Sequence, residues 1–343
     1  MNYHDSSDSE LWARVRTGEW LDRQNFPPLQ WAVPGIIPEG FGLLVGGPKV
    51  GKSWLALSIL LAVARGSEAL GAVDPGKARP VLYMALEDGD RRMKRRAKHL
   101  AHGADLPANL AYITDARPTE VTGFIRDWLS VHGSNGTVVI LDTLGKVMPP
   151  AHAGESAYAR DYRVGSDLKA AIDDYPGSTL LAVHHTRKQA SEDFMESVSG
   201  TNGLNGAADF TIVLARSRNS DNGTLQVTGR DVDENVYGVT NNDGHWSMIG
   251  GDLESAARAA GDVEARDGLA DLSQQVLNLV NEAPDGITAK TVAAMVPGLN
   301  GDNNAAGVYL RRLVESERIR KDGRGKFAPI PARDVFPDAL ALA

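Results

Sequence analysis

The 343-residue sequence has no cysteine. That excludes disulfide staples, thiolate zinc sites, iron–sulfur clusters and cysteine nucleophiles together, and it suits a reducing compartment such as the cytoplasm. Long apolar runs are missing too. The longest, Trp54 to Ala64, is about half of what a bilayer span needs, so a buried helix is expected there and no membrane partner. Residues 1–10 are polar and acidic with no apolar h-region, so no secretory leader is expected. Positive charge is not in excess: 36 Lys+Arg stand against 44 Asp+Glu, a net charge of −8. Wholesale coating of nucleic acid is thereby disfavoured, and any such contact must be local. The hydrophobic content of 42% is ample for a packed core, and the length suits two or three domains.

Residues 1–30 are polar with scattered aromatics (Trp12, Trp20, Phe26) and the pair Pro27-Pro28, the composition of an arm. From 31 to 250, short apolar runs alternate with amphipathic or polar stretches. The runs are 42–45, 81–86, 138–141, 180–183 and 210–214. Near-continuous apolar strands separated by helical segments predict an α/β fold with a mostly parallel sheet. Later runs, 225–228 and 245–248, are divided by Gly, Asn and Asp turns and predict antiparallel hairpins. Residues 251–268, rich in Ala, Gly and Asp without an apolar stripe, read as a linker, in part helical. Three helices and a hairpin follow in 269–330: one over 272–281, one over 289–295, and one over 302–317 with Val308, Leu310 and Leu313 inside. Two short strands then flank the turn at Gly323. This is the outline of a winged helix, and 331–343 form a tail.

The segment Gly46-Gly47-Pro48-Lys49-Val50-Gly51-Lys52-Ser53 fits G-x-x-x-x-G-K-[ST], follows an apolar strand and opens an apolar helix that begins with Trp54. The chemistry explains the pattern. Glycines let backbone N–H groups curl around phosphate oxygens at the positive end of a helix dipole. Lys52 supplies charge to the β- and γ-phosphates, and Ser53 a hydroxyl to Mg²⁺. ATP and Mg²⁺ are therefore the expected cofactors. The run 138–141 ends in Asp142, a Walker B pattern whose carboxylate would hold a Mg²⁺-bound water. The next residue is Thr143, not an acid, so the base that polarises water must lie elsewhere. The run 81–86 ends in Glu87-Asp88, and strand C-termini line the ligand crevice of an open parallel sheet. Glu87 is expected as the base if its strand neighbours that of the phosphate loop, and Asp88 as a helix-dipole partner. A third run ends in His184-His185, where a polar side chain could report the γ-phosphate; His185 is preferred, with His184 close behind. No third ligand of suitable spacing accompanies the pair, so a metal site there is discounted.

Taken together, the phosphate loop, an acid on the next strand, a Walker B Asp without an adjoining Glu and a polar sensor resemble the RecA-like P-loop ATPases. The pattern is most similar to the RepA-type replicative helicases of plasmids and phages. Residues 31–40, 140–146, 182–188 and 197–208 carry that likeness. The resemblance implies an ATP-driven ring, usually a hexamer, with single-stranded DNA in its channel and an arginine finger supplied by each neighbour. Arg230, at the end of the run 225–229, is the preferred finger, with Arg216 and Arg218 as rivals and pairing to Asp231 or Asp233 as the alternative. The loop 189–203, with Gly200 and Gly203 as hinges, would face the channel, though Arg187 and Lys188 at its approach are its only nearby cations. A DNA helicase acting in replication or recombination is implied; a non-translocating, ATP-gated DNA-binding regulator is the alternative.

Two segments are locally basic. Residues 91–98 carry six cations, with 91, 94, 95 and 98 on one helix face, which reads first as a solvated surface. Between 311 and 326, seven cations (Arg311, Arg312, Arg318, Arg320, Lys321, Arg324, Lys326) face three acids. In a chain of net negative charge this points to duplex DNA, with Asn303, Asn304 and Tyr309 on the helix that enters the groove, or else to a protein-docking module.

Overall fold

The computed structural model describes residues 12–185, 202–217, 220–323 and 325–330, without the side chains of 202 and 264–271. Its centre is a nine-stranded sheet. Six strands are parallel: β3 (Gly40–Gly46), β4 (Val81–Ala85), β5 (Leu110–Ile113), β6 (Val138–Asp142), β7 (Thr179–His185) and β8 (Phe210–Arg216). Antiparallel strands β9 (Asn222–Gly229), β10 (Asn235–Asn242) and β11 (His245–Met248) extend one edge, giving the order β11-β10-β9-β8-β3-β7-β6-β4-β5. A short helix, α1 (Gly18–Asp22), and a small hairpin, β1 (Trp31–Val33) with β2 (Ile37–Pro38), precede it.

The central strands are buried along most of their length because helices cover both faces. On one face lie α2 (Lys52–Arg65) and α3 (Asp90–Leu100), and Leu44, Tyr83 and Ile140 point into that core with Leu57 and Leu60. On the other lie α4 (Pro118–His132), α5 (Leu144–Val147) and α6 (Ala157–Ile172), where Leu43, Leu82 and Val139 meet Ile125, Leu129 and Leu168. Alternate residues of one strand thus serve opposite cores, the period of two that a pleated strand imposes. The run 54–64 forms the buried helix expected of it.

Several expectations need correction. Residues 251–268 are not a free linker. The helix α8 (Leu253–Asn281) runs through them, capped by Asp252, with Ala256, Ala260 and Val263 buried. Small residues let the helix lie close on β10, where an added Cβ at Gly238 would meet Ala259 at 3.2 Å. The stripe is missing from the sequence because the contact is made by alanines. Gly203 is not a hinge: it lies in α7 (Asn202–Ala207), and a Cβ there would sit 2.4 Å from the Tyr158 carbonyl of α6. The rest of the expected channel loop, 189–201, lies outside the described residues, as do Arg187 and Lys188 at its approach.

The C-terminal segment has its own core. β12 (Ile287–Thr288), α9 (Ala289–Met295), α10 (Asn303–Glu315), β13 (Ile319–Lys321) and β14 (Lys326–Pro329) follow α8, and the strands form an antiparallel sheet in the order β12-β14-β13. Val276, Val280, Leu310 and Phe327 are among its core residues. Helix α10 starts on its Asp302 cap and buries Ala306, Tyr309, Leu310 and Leu313, spaced as one apolar stripe. Val308 falls off that stripe and is exposed, whereas Tyr309, expected towards a ligand, is part of the core.

Candidate functional site

The C-terminal ends of β3, β4, β6 and β7 share one edge of the sheet. There the phosphate loop joins β3 to α2. Gly51, the residue before that helix, has φ 112°, and a Cβ on it would lie 2.9 Å from the Trp246 ring; only glycine meets both demands. Lys49 also takes a positive φ, 65°. The Trp246 indole Nε1 donates to the Gly51 carbonyl at 3.2 Å, so β11 braces the loop from behind. Trp54 packs beneath the β10–β11 turn, where a Cβ at Gly244 would touch its ring at 2.5 Å, and beside the Arg96 guanidinium and the His99 ring. Its place in the site is therefore its backbone at the helix start, with the side chain held as packing.

Lys52 is only 4% exposed. Its Nζ donates to the carbonyls of Gly46 at 2.7 Å and Gly47 at 3.0 Å, and lies 3.0 Å from His185 Nδ1. Burial pulls its pKa down to about 8, against the pull of Asp142 and Glu87 towards the charged form. His185 is held below its ordinary pKa by burial and then by the Lys52 charge, so a neutral ring accepts from the ammonium. His184, one residue earlier, is more enclosed, and burial lowers it too. Of the two, it is His185 that touches the loop lysine.

Asp142, 3% exposed, accepts from the Tyr83 hydroxyl at 2.5 Å. Its carboxyl is raised by burial, with hydrogen bonds from Tyr83 and Ser53 pulling the other way. Oδ1 is buried without a hydrogen-bond partner among the described residues, which is the orphaned acceptor a hydrated cation would satisfy. Ser53 and Asp142 therefore fit a Mg²⁺ ion arriving with a nucleotide. Among the described residues no cluster of three or more His, Cys, Asp or Glu could hold a metal by itself.

Glu87 reaches this site by another route than expected. Its strand β4 does not neighbour β3; β7 and β6 lie between them. The common edge brings it near nonetheless. The Leu86 amide bonds the Asp142 carbonyl at 2.8 Å, the Glu87 Oε1 accepts from Thr143 Oγ1 at 3.0 Å, and Lys52 feels the Glu87 charge. Asp88, by contrast, is buried and paired with Arg92 at 3.1 Å and with Arg96. The off-stripe arginines of α3 are thus consumed in fixing Asp88. Arg91, Arg92 and Arg95 border a groove of about 680 Å³ that opens beside Glu87 and Gly89.

Arg230 stands apart. It follows β9, which runs antiparallel to β8, so it lies at the opposite end of the sheet from its own phosphate loop. Its guanidinium donates to the Gly206 carbonyl at 2.9 Å and lies 3.8 Å from Asp209; neither Asp231 nor Asp233 pairs with it among the described contacts. Arg216 ends β8 on the phosphate-loop side, bonds the Ser220 carbonyl and lies 5.8 Å from the Trp246 ring. Arg218 lies outside the described residues.

Sequence reasoning missed Tyr83 and Thr143. Tyr83 is an ordinary apolar-strand residue until pairing sets Tyr83 opposite Ile140 and Ala85 opposite Asp142. No local signal marks it. Thr143 was visible beside Asp142, but its partner lies 56 residues away.

Known proteins bear on this geometry. The family model described as AAA domain matches residues 9–191, just over half of the chain. No curated protein matches. Among solved structures, the ATPase domain of G40P is 14% identical with a TM-score of 0.49, covering 61% of this chain and 84% of that one. A DnaB-like replicative helicase, solved for its interactions with primase, is 16% identical with a TM-score of 0.48; 61% of this chain is covered and 57% of that one. A KaiC-like protein from the hyperthermophilic archaeon Pyrococcus horikoshii OT3 is 15% identical with a TM-score of 0.42, covering 63% and 93%.

Proposed function

We propose, from the premise that this chain belongs to the AAA domain family of P-loop ATPases, that it is a ring-forming, ATP-hydrolysing motor that acts on DNA as a helicase. The observation that carries the reading is the convergence of Lys52, Ser53, Asp142, Glu87 and His185 on one sheet edge. In that arrangement an incoming triphosphate takes the Lys52 ammonium from the Gly46 and Gly47 carbonyls, and the loop amides of 46–54 close on its oxygens. The Ser53 hydroxyl and the Asp142 carboxylate would hold Mg²⁺, which would supply positive charge to the β- and γ-phosphates. Glu87 takes a proton from the attacking water. His185, released from Lys52 by the γ-phosphate, passes the change to the segment after β7.

Arg230 serves a neighbouring protomer. An arginine at the far end of the sheet cannot enter its own site, but a head-to-tail ring, as in a hexamer, would set it against the next one. Positive charge delivered there at the transition state can raise the rate by about 10³-fold or more. The C-terminal unit, 269–330, we assign as a winged helix. Its support is the order of α8, β12, α9, α10, β13 and β14 and the exposed Arg311, Arg312, Arg318, Lys321 and Lys326, which suit the phosphates of duplex DNA. The positive charge exposed on that unit, away from the nucleotide site, supports a second reading: an ATP-gated DNA-binding regulator without translocation.

Strand displacement on forked DNA, with and without ATP, separates the two, run beside a mass measurement of the assembly. ATP-dependent unwinding by a ring is the expected result. Hydrolysis without unwinding, with salt-sensitive duplex binding, would establish the regulator instead.

A further inference from the structure

The residue after a Walker B aspartate opens α5 here, and it does not behave as a helix cap. Thr143 stands at the N-cap position with extended backbone, where threonine ordinarily accepts a hydrogen bond from the first helical turn. Its side chain makes no such bond. The hydroxyl turns the other way and donates to Glu87 Oε1 at 3.0 Å. The donor is well fixed: Thr143 is 3% exposed, and a β-branched side chain is stiff about χ1. The acceptor is the opposite case, an exposed glutamate in the turn after β4, whose rotamers would be free without a tether.

We infer that Thr143 is the positioning residue for Glu87, pinning one carboxylate oxygen so that the other faces the attacking water. The inference rests on Glu87 being the base. Its physical content is preorganisation: misplacing a reacting group by about 1 Å can cost on the order of 10²-fold in rate. A hydroxyl forgone as a helix cap suits a positioning role better than a structural one.

The test compares ATP turnover and binding of a fluorescent ATP analogue in Thr143→Val, Thr143→Ser and Glu87→Gln, all in the full chain. Thr143→Val keeps the shape and removes the donor, so kcat should fall about 10- to 100-fold with KM and analogue affinity changed less than about threefold. Thr143→Ser should restore most of kcat. In a Glu87→Gln background, Thr143→Val should add no further loss, since the two act as one unit. Should Thr143→Val fail to fold, Thr143→Ala against Thr143→Ser gives the same contrast. Unchanged kcat in the valine variant overturns the inference, as does equal loss in valine and serine. A rise in kcat also overturns it, since that would make the contact a parking place. Wild-type turnover in Glu87→Gln alone would instead overturn the assignment of the base.

Discussion

At the scale of single residues, charge at Lys52 governs the site. Burial moves its pKa down from 10.5 to about 8. Between those values the folded chain holds fewer protons than the unfolded one, so this residue's contribution to stability rises with pH through that window. Nucleotide binding behaves oppositely, because a triphosphate must restore the proton. Affinity for ATP should therefore fall by up to about tenfold per pH unit above about pH 8, and Lys52→Arg, which stays charged, should flatten the profile in a fluorescence titration. Glu87→Gln should abolish turnover while ATP stays bound, checked by filter retention beside a hydrolysis assay. Tyr83→Phe removes a bond to a buried carboxylate and should lower stability by about 1–3 kcal/mol in denaturant unfolding. The loop and Asp142 were legible because their chemistry is contiguous in sequence. Tyr83 and Thr143 were not, since only the pairing of β4 with β6 gives them partners.

At the scale of elements, alternation of apolar runs was enough to foresee a sheet covered on both faces, since burial on both sides leaves no polar alternation. It could not give strand order. Glu87 was expected beside the phosphate-loop strand, yet two strands intervene; the shared edge, rather than adjacency, brings the groups together. Close packing of small residues was equally silent. Alanines seat α8 on β10 without an apolar stripe, and Gly203 looks like a hinge until α6 is set against it. Gly203→Ala should accordingly destabilise the fold by about 1–3 kcal/mol through overpacking, measured by thermal or denaturant unfolding. A hinge glycine would tolerate alanine with little loss.

For the molecule as a whole, the placement of Arg230 predicts complementation. Arg230→Ala and Lys52→Ala should each be inactive alone. Mixed, they should recover turnover, because some interfaces then join an intact loop to an intact arginine; activity no greater than either parent would remove Arg230 from the site. Removing residues 268–343 should weaken duplex binding in a gel-shift titration and spare basal hydrolysis, since the stretch of α8 on β10 would remain. Unchanged DNA affinity would make the C-terminal unit a docking module. The indole against the loop carries one more consequence. Trp246 packs on Gly51 and bonds its carbonyl, so the protein contains its own optical gauge. Emission from this ring should shift as phosphate oxygens fill the neighbouring cradle, letting occupancy be followed in unlabelled protein during turnover.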